Sequence, residues 1–67
     1  MKKIITRTYE INGKDYSVDV YETVVQTILG DASAFYVYID GVMYATTNDS
    51  ADIDNAIERA LKSAARR

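Results

Sequence analysis

Apolar and polar residues alternate over most of residues 5–21, and β-branched and aromatic residues fill most of residues 34–47; Asn12-Gly13 and Asp40-Gly41 interrupt these two runs. A period of two is typical of β-strands that bury one face. Asn-Gly and Asp-Gly both accept the positive φ angles of a type I′ turn, so each dipeptide predicts a two-residue β-hairpin. The pattern therefore predicts two hairpins, one centred on each dipeptide.

The first hairpin begins near Lys3 and turns at Asn12-Gly13. A two-residue turn places Ile11 opposite Lys14, and the same register places Arg7 opposite Val18. One face is then apolar except for Arg7, and a shift of one residue would bury acidic side chains. The apolar positions of this face are Ile5, Tyr9, Ile11, Tyr16, Val18 and Val20, with Tyr9 opposite Tyr16 and Ile5 opposite Val20.

The second hairpin is apolar on both faces. Its turn places Ile39 opposite Val42. One face is predicted to belong to the core and carries Phe35, Val37, Ile39, Val42 and Tyr44. The other face is aromatic where a solvated face is normally polar, and it carries Tyr36, Tyr38, Met43 and Ala45.

The segment from Glu22 to Leu29 fits two structures. Its apolar residues have a helical spacing, but most of its residues are β-branched, which favours a strand. We prefer the strand, with Val24 and Ile28 continuing the core face and residues 30–33 forming a loop. Because a strand from Tyr16 to Ile28 would be long, a bulge or bend is expected near Glu22.

The C-terminal segment predicts a helix. Asn48, Asp49 and Ser50 offer N-cap oxygens, and acidic residues follow at Asp52 and Asp54, where the helix dipole favours negative charge. Glu58 is spaced to pair with Lys62, and Arg66 and Arg67 lie at the end of the helix that favours cations. One apolar stripe contains Ile53, Ala56, Ile57, Ala60, Leu61 and Ala64.

These elements predict a single α+β domain over residues 1–67, a four-stranded antiparallel β-meander (ββββα) with the C-terminal helix packed on one face. Nothing in the chain is left to cover the other face. Its solvent-facing side chains are expected to be Tyr21, Val25, Tyr36, Tyr38 and Met43, bordered by Thr6, Thr8, Ser17 and Asp19. In element order alone, the chain resembles small single-strand-binding modules of the transcription-coactivator and Pur type.

The residue types argue against an enzyme. The chain has no histidine and no cysteine, and no serine lies in a glycine-flanked nucleophile elbow. Asp49, Asp52 and Asp54 lack the glycine and the number of oxygens that a calcium loop needs, so we interpret them as acids of a first helical turn. No catalytic residue, metal or cofactor is predicted.

The distribution of charged residues distinguishes a nucleic-acid partner from a protein partner. No lysine or arginine occurs between Lys14 and Arg59, whereas nine acidic residues do. Nucleic-acid binding takes most of its affinity from basic side chains, so this span disfavours nucleic acid and favours a basic protein surface. No segment approaches the length of a membrane span, and no targeting segment is recognisable, so a cytoplasmic protein is expected.

The sequence thus predicts a small stand-alone protein-binding module, an inhibitor or adaptor of a basic, for example nucleic-acid-handling, protein. Small acidic β-α chains of this kind also occur among phage and mobile-element accessory proteins. The alternatives are a single-stranded nucleic-acid-binding domain or a homodimer that uses the same open face. The predicted interface residues are Tyr21, Tyr36, Tyr38, Met43, Asp19, Glu22, Asp31 and Asp40.

Overall fold

The computed structural model describes residues 1–66 and contains one antiparallel sheet and one α-helix. The strands follow one another across the sheet in chain order. The predicted ββββα fold is confirmed. The elements are β1 (Lys2–Ile11), β2 (Lys14–Thr27), β3 (Gly30–Ile39), β4 (Val42–Thr47), a 3-10 turn (Ser50–Asp52) and α1 (Ile53–Ala65).

Both predicted type I′ turns are present. Asn12 and Gly13 have φ angles of 53° and 81°, and Asp40 and Gly41 have φ angles of 49° and 84°. These left-handed conformations are tolerated by Asn, Asp and Gly because their side chains are short and polar or absent. The predicted register of the first hairpin is confirmed from Ile5 to Ile11.

A bulge in β4 alters the predicted second hairpin. Tyr38 pairs with Met43, but the next pair is Val37 with Ala45, so Tyr44 is an extra residue on β4. A bulge reverses the side-chain alternation beyond it. The prediction that Ala45 shares a face with Tyr38 is therefore wrong, because Ala45 packs against the core on the helix side.

The irregularity expected near Glu22 lies on the neighbouring strand instead. β2 runs without interruption for 14 residues. The register of β1 shifts between Lys3 and Ile5, opposite Val20 and Tyr21. The extra residue therefore bends β1, and β2 keeps its alternation to Thr27.

The core lies between α1 and one face of the sheet. All six residues of the predicted helical stripe are buried, and α1 packs on β3 and β4. Three residues of the stripe are alanines, whose small side chains allow a close approach of the helix to the strands. The sheet contributes Tyr16, Val18, Val20, Phe35, Val37 and Ile39, and Ile5, Tyr9, Ile11, Tyr44 and Ala45 pack at the margin.

Three residues predicted for this core are exposed. Val42 lies at the start of β4, and Val24 and Ile28 lie beyond the region where α1 crosses the sheet. Val24 and Val42 alternate onto the core face, whereas Ile28 lies in the turn after β2, and no element covers any of the three. Alternation alone does not show how far along a strand the helix extends.

Arg7 is a charged residue on the helix side of the first hairpin. Its guanidinium donates to the Tyr9 hydroxyl at 3.3 Å and to an Asp54 carboxylate oxygen at 3.5 Å. These partners, the tyrosine hydroxyl first, raise the pKa of Arg7. Arg7 thereby connects β1 to the first turn of α1 without burying its charge.

The central hairpin extends beyond its neighbours as a two-stranded ribbon. β1 begins at Lys2 opposite Glu22, and β4 ends at Thr47 opposite Phe35. We define the arm as residues 23–27 and 30–34 with the turn Ile28-Leu29. Five strand residues span roughly 17 Å, which accounts for much of the 46 Å long axis of the molecule.

The arm settles the ambiguous segment. The preferred strand is confirmed up to Thr27, and the helical alternative is wrong. The loop predicted over residues 30–33 is also wrong, because these residues pair with β2 and the turn lies two residues earlier. The turn is stabilised by the Thr27 hydroxyl, which donates to the Gly30 carbonyl and accepts from the Leu29 N–H.

Candidate protein-interaction face

The sheet face away from α1 brings five of the predicted interface residues together. Asp19 and Tyr21 alternate with the buried valines of β2, and their cross-strand partners are Tyr38 and Tyr36. Met43 on β4 lies opposite Tyr38. Directly opposed residues point to the same face, so the five side chains form one surface. We call Asp19, Tyr21, Tyr36, Tyr38 and Met43 the tyrosine face.

The tyrosine face is partly ordered by its own contacts. The rings of Tyr21 and Tyr38 meet edge to face, with centroids 5.3 Å apart and planes at 79°. This geometry is favoured by the ring quadrupoles. The three tyrosines are half-buried, while 48% of Met43 remains exposed. Ordered aromatic rings lose little conformational entropy on binding, which suits them as interface anchors.

Lys3 also reaches this face, although the alternation of the sequence does not predict it there. Its ammonium lies 3.8 Å from a carboxylate oxygen of Asp19 and 5.9 Å from the centre of the Tyr21 ring. The β1 bulge places Lys3 opposite Tyr21, whereas an unbroken strand would place it on the helix side. No signal in the sequence marks this bulge. Asp19 also accepts a hydrogen bond from the Thr6 hydroxyl at 3.0 Å.

Two of the predicted acidic residues are not on the tyrosine face. Glu22 pairs with Phe35 and Asp31 pairs with Gln26. Both therefore alternate onto the same side of the sheet as Phe35, which belongs to the core. The tyrosine face is consequently less acidic than the sequence indicated, because its one acid is paired with Lys3.

Asp40 has a structural role in the turn at one end of the tyrosine face. Its carboxylate accepts from the Ser17 N–H at 3.1 Å, and its own N–H donates to the Ser17 carbonyl at 2.9 Å. These bonds extend the β2–β3 ladder past the last residue of β3. Asp40 therefore lies at the rim and connects the second hairpin to β2.

We predict that Asp40→Ala lowers the free energy of unfolding by about 2 kcal/mol. The change loses a hydrogen bond of roughly 1 kcal/mol and leaves a residue with a Cβ in the left-handed region, which costs roughly 1 kcal/mol more. Asp40→Asn keeps an acceptor oxygen and tolerates a positive φ, so it is the matched control. Urea denaturation followed by circular dichroism measures both, and equal losses in the two variants would contradict the role assigned to the Ser17 bond.

Two shallow depressions border the sheet. One, of about 320 Å³, lies on the tyrosine face and is lined by Met1, Asp19, Tyr21, Tyr38 and Gly41. The second, of about 360 Å³, lies along the arm and is lined by Val25, Ala32, Ser33, Ala34 and Asn48. The first contains both rings of the edge-to-face pair, Tyr21 and Tyr38, and is suited to accept a side chain of a partner.

The acidic residues before α1 and in its first turn, Asp49, Asp52 and Asp54, all have partners within the chain. Asp49 accepts from the Ala51 N–H, and Asp54 pairs with Arg7. Asp52 accepts from Asn55, Thr47 and Arg59. The hydrogen bond from Asn55, followed by that from Thr47, lowers the pKa of Asp52 below its ordinary value. Within residues 1–66, no group of three or more acidic, histidine or cysteine residues is placed to hold a metal ion.

Comparisons with known proteins do not assign a family. No protein-family model matches the chain, no curated protein resembles it, and no solved structure matches it. Among residues 1–66 there is also no helix of the length and apolar character needed to cross a membrane.

Proposed function

We propose that this protein is a protein-binding module, an inhibitor or adaptor that engages a basic protein surface through the tyrosine face. The observation that carries the proposal is the set of three half-buried tyrosines and an exposed methionine on a sheet face that α1 leaves uncovered. Tyr and Met are enriched in protein interfaces. A cytoplasmic location is part of the proposal.

One acidic residue at the rim of the face supports a basic partner. Lys3 is already paired with Asp19, so it offers little free positive charge. Asp40 lies at the rim next to Gly41, which lines the depression between the tyrosines. Opposite potentials accelerate encounter, while desolvated aromatic rings supply most of the binding energy.

One observation favours a second candidate, a single-stranded nucleic-acid-binding face. Lys3 and the ring of Tyr21 together offer a cation next to a stacking surface. The candidate ranks second because that cation is neutralised by Asp19, and phosphate contacts need several free basic groups.

The test is affinity capture from a lysate with the tagged protein and with the Tyr36→Asp/Tyr38→Asp double variant. We expect the wild type to retain a defined protein after nuclease treatment. The amount of this protein captured by the variant should be at least about tenfold lower, because hot-spot tyrosines each contribute about 2 kcal/mol or more. The matched control, Ser63→Asp/Ala65→Asp, adds the same charge on exposed positions of α1. Far-UV circular dichroism verifies folding of both variants.

The other results are equally informative. A protein that is retained equally by the wild type and the folded double variant would contradict the role of the tyrosine face. Recovery of nucleic acid, with loss of all bound protein after nuclease treatment, would favour the second candidate. A defined protein lost only with the tyrosine variant would support the proposal, and its charge would then test the expected basic surface.

A further inference from the structure

The exposed apolar side chains of this protein concentrate along one edge of the sheet. Outside this edge, Val42 and Met43 are the exposed large apolar residues of β4. The others lie on the arm or at the start of β1, which continues the same edge. They are Met1, Ile4, Val24, Val25, Ile28 and Leu29. Ile28 and Leu29, at the tip of the arm, have almost no contact with the rest of the chain.

The backbone of this edge is also open. The backbone N–H and C=O of Ser17 both bond to Asp40. The odd-numbered residues of β2 therefore direct their backbone N–H and C=O groups toward β3. The β2–β3 register has no shift, so the even-numbered residues direct theirs the other way. Beyond Glu22, where β1 begins, the outward groups belong to Val24 and Gln26, and no strand of residues 1–66 pairs with them.

The amino-acid composition of the open edge favours the addition of another strand. Residues 23–29 read Thr-Val-Val-Gln-Thr-Ile-Leu and contain no charge, no proline and no glycine. Such an edge lacks the charges with which proteins normally prevent strand addition. The opposite edge of the arm differs, because β3 has Gly, Ala and the charged Asp31 there.

We infer that a second copy of this chain pairs with the open edge of β2, antiparallel and about a twofold axis through Val25. Val24 and Gln26 flank Val25 symmetrically, so each would exchange both backbone hydrogen bonds with the other residue in the second copy. Four hydrogen bonds then satisfy every outward backbone N–H and C=O of Val24 and Gln26 in the two copies. The side-chain pairs are Val25 with Val25 and Thr23 with Thr27, both favourable across strands.

The charge and the shape of the open edge both favour a second copy of the chain as the pairing partner. The paired segments of β2 carry no charged residue, so they do not repel each other. Pairing of two β3 edges about Ala32 would instead bring the Asp31 side chains of the two copies to diagonal positions on one face, where like charges repel. Pairing about Val25 also carries the tip of each arm to the first residues of the other β1. In this register Ile28 comes opposite Glu22 of the other copy, the place that Lys2 holds, so Met1 and Lys2 move aside to admit the tip, which brings the exposed Met1 against Ile28.

The twofold axis stands perpendicular to the sheet, so the tyrosine faces of the two copies lie on the same side. The pairing therefore differs from a dimer in which two tyrosine faces pack on each other and disappear. The pairing is also independent of the proposed function, since the tests for it use the isolated protein and no partner. The Tyr36→Asp/Tyr38→Asp variant is expected to keep the edge-paired dimer.

The first test uses the absence of cysteine from the chain. Val25→Cys places two thiols directly opposite each other, with Cα atoms about 4.5 Å apart, within the range of a disulfide. We expect mild oxidation to convert most of this variant to a cross-linked dimer. Leu29→Cys is the control, because residue 29 is more exposed than residue 25 but would lie roughly 20 Å or more from its copy. Equal cross-linking of the two variants would overturn the inference.

The second test measures mass in solution by light scattering over a dilution series. We expect the wild type to show twice the 7.5 kDa of one chain and Val24→Pro to show 7.5 kDa. Proline removes an outward N–H and leaves the β2–β3 ladder intact, and Val24→Thr, which keeps the N–H, should remain dimeric. Circular dichroism verifies that Val24→Pro is folded. A wild type that is monomeric throughout, or a folded Val24→Pro that stays dimeric, would overturn the inference.

Discussion

Ile39→Ala is expected to leave this protein largely unfolded at room temperature. Ile39 is among the largest side chains that are almost fully buried, with 2% of its surface exposed. Removing so many buried carbons costs about 2–5 kcal/mol, because both transfer energy and packing around the cavity are lost. A single core below about 70–80 residues rarely supplies more than about 3–5 kcal/mol, so the loss is comparable to the whole stability.

Val42→Ala is the matched control, since Val42 lies directly opposite Ile39 in the same hairpin. Val42 is 47% exposed, so we expect its truncation to cost less than about 1 kcal/mol. Thermal unfolding separates the two variants, because 1 kcal/mol corresponds to roughly 4–8 °C in a domain of this size. Similar midpoints for the two variants would contradict the position of the core.

Ala60→Leu is expected to destabilise the fold by overpacking. Ala60 is completely buried in the middle of the helical stripe that packs on the sheet. A leucine there must displace α1 or adopt a strained rotamer, at a cost of about 1–3 kcal/mol. Leucine and alanine both have high helix propensity, so the loss reports packing rather than helix formation.

The control for this change is Ala65→Leu, at an exposed position near the end of the same helix. We expect its effect on the free energy of unfolding to stay within about 0.5 kcal/mol. Chemical denaturation of the two variants and the wild type provides the comparison. A stabilised Ala60→Leu would mean that space remains between α1 and the sheet.

The two type I′ turns and the helix were predictable because their causes are local. Asn-Gly and Asp-Gly differ from other dipeptides in the φ angles they tolerate, and the turns in turn set the adjacent registers. The helical stripe repeats every three or four residues over about three turns, so its buried side is evident without knowledge of what it packs on. Alternation likewise placed Tyr21, Tyr36 and Tyr38 together on one face.

The tertiary structure alone decided the features that depend on where neighbouring elements begin and end. The bulge in β1 placed Lys3 beside Asp19, and the bulge at Tyr44 moved Ala45 to the core. Each bulge depends on how the two strands of a hairpin fit the twist of the whole sheet, which no local pattern encodes. The arm has the same origin: residues 22–27 are a strand by composition, but only the ends of β1, β4 and α1 determine that this strand projects uncovered.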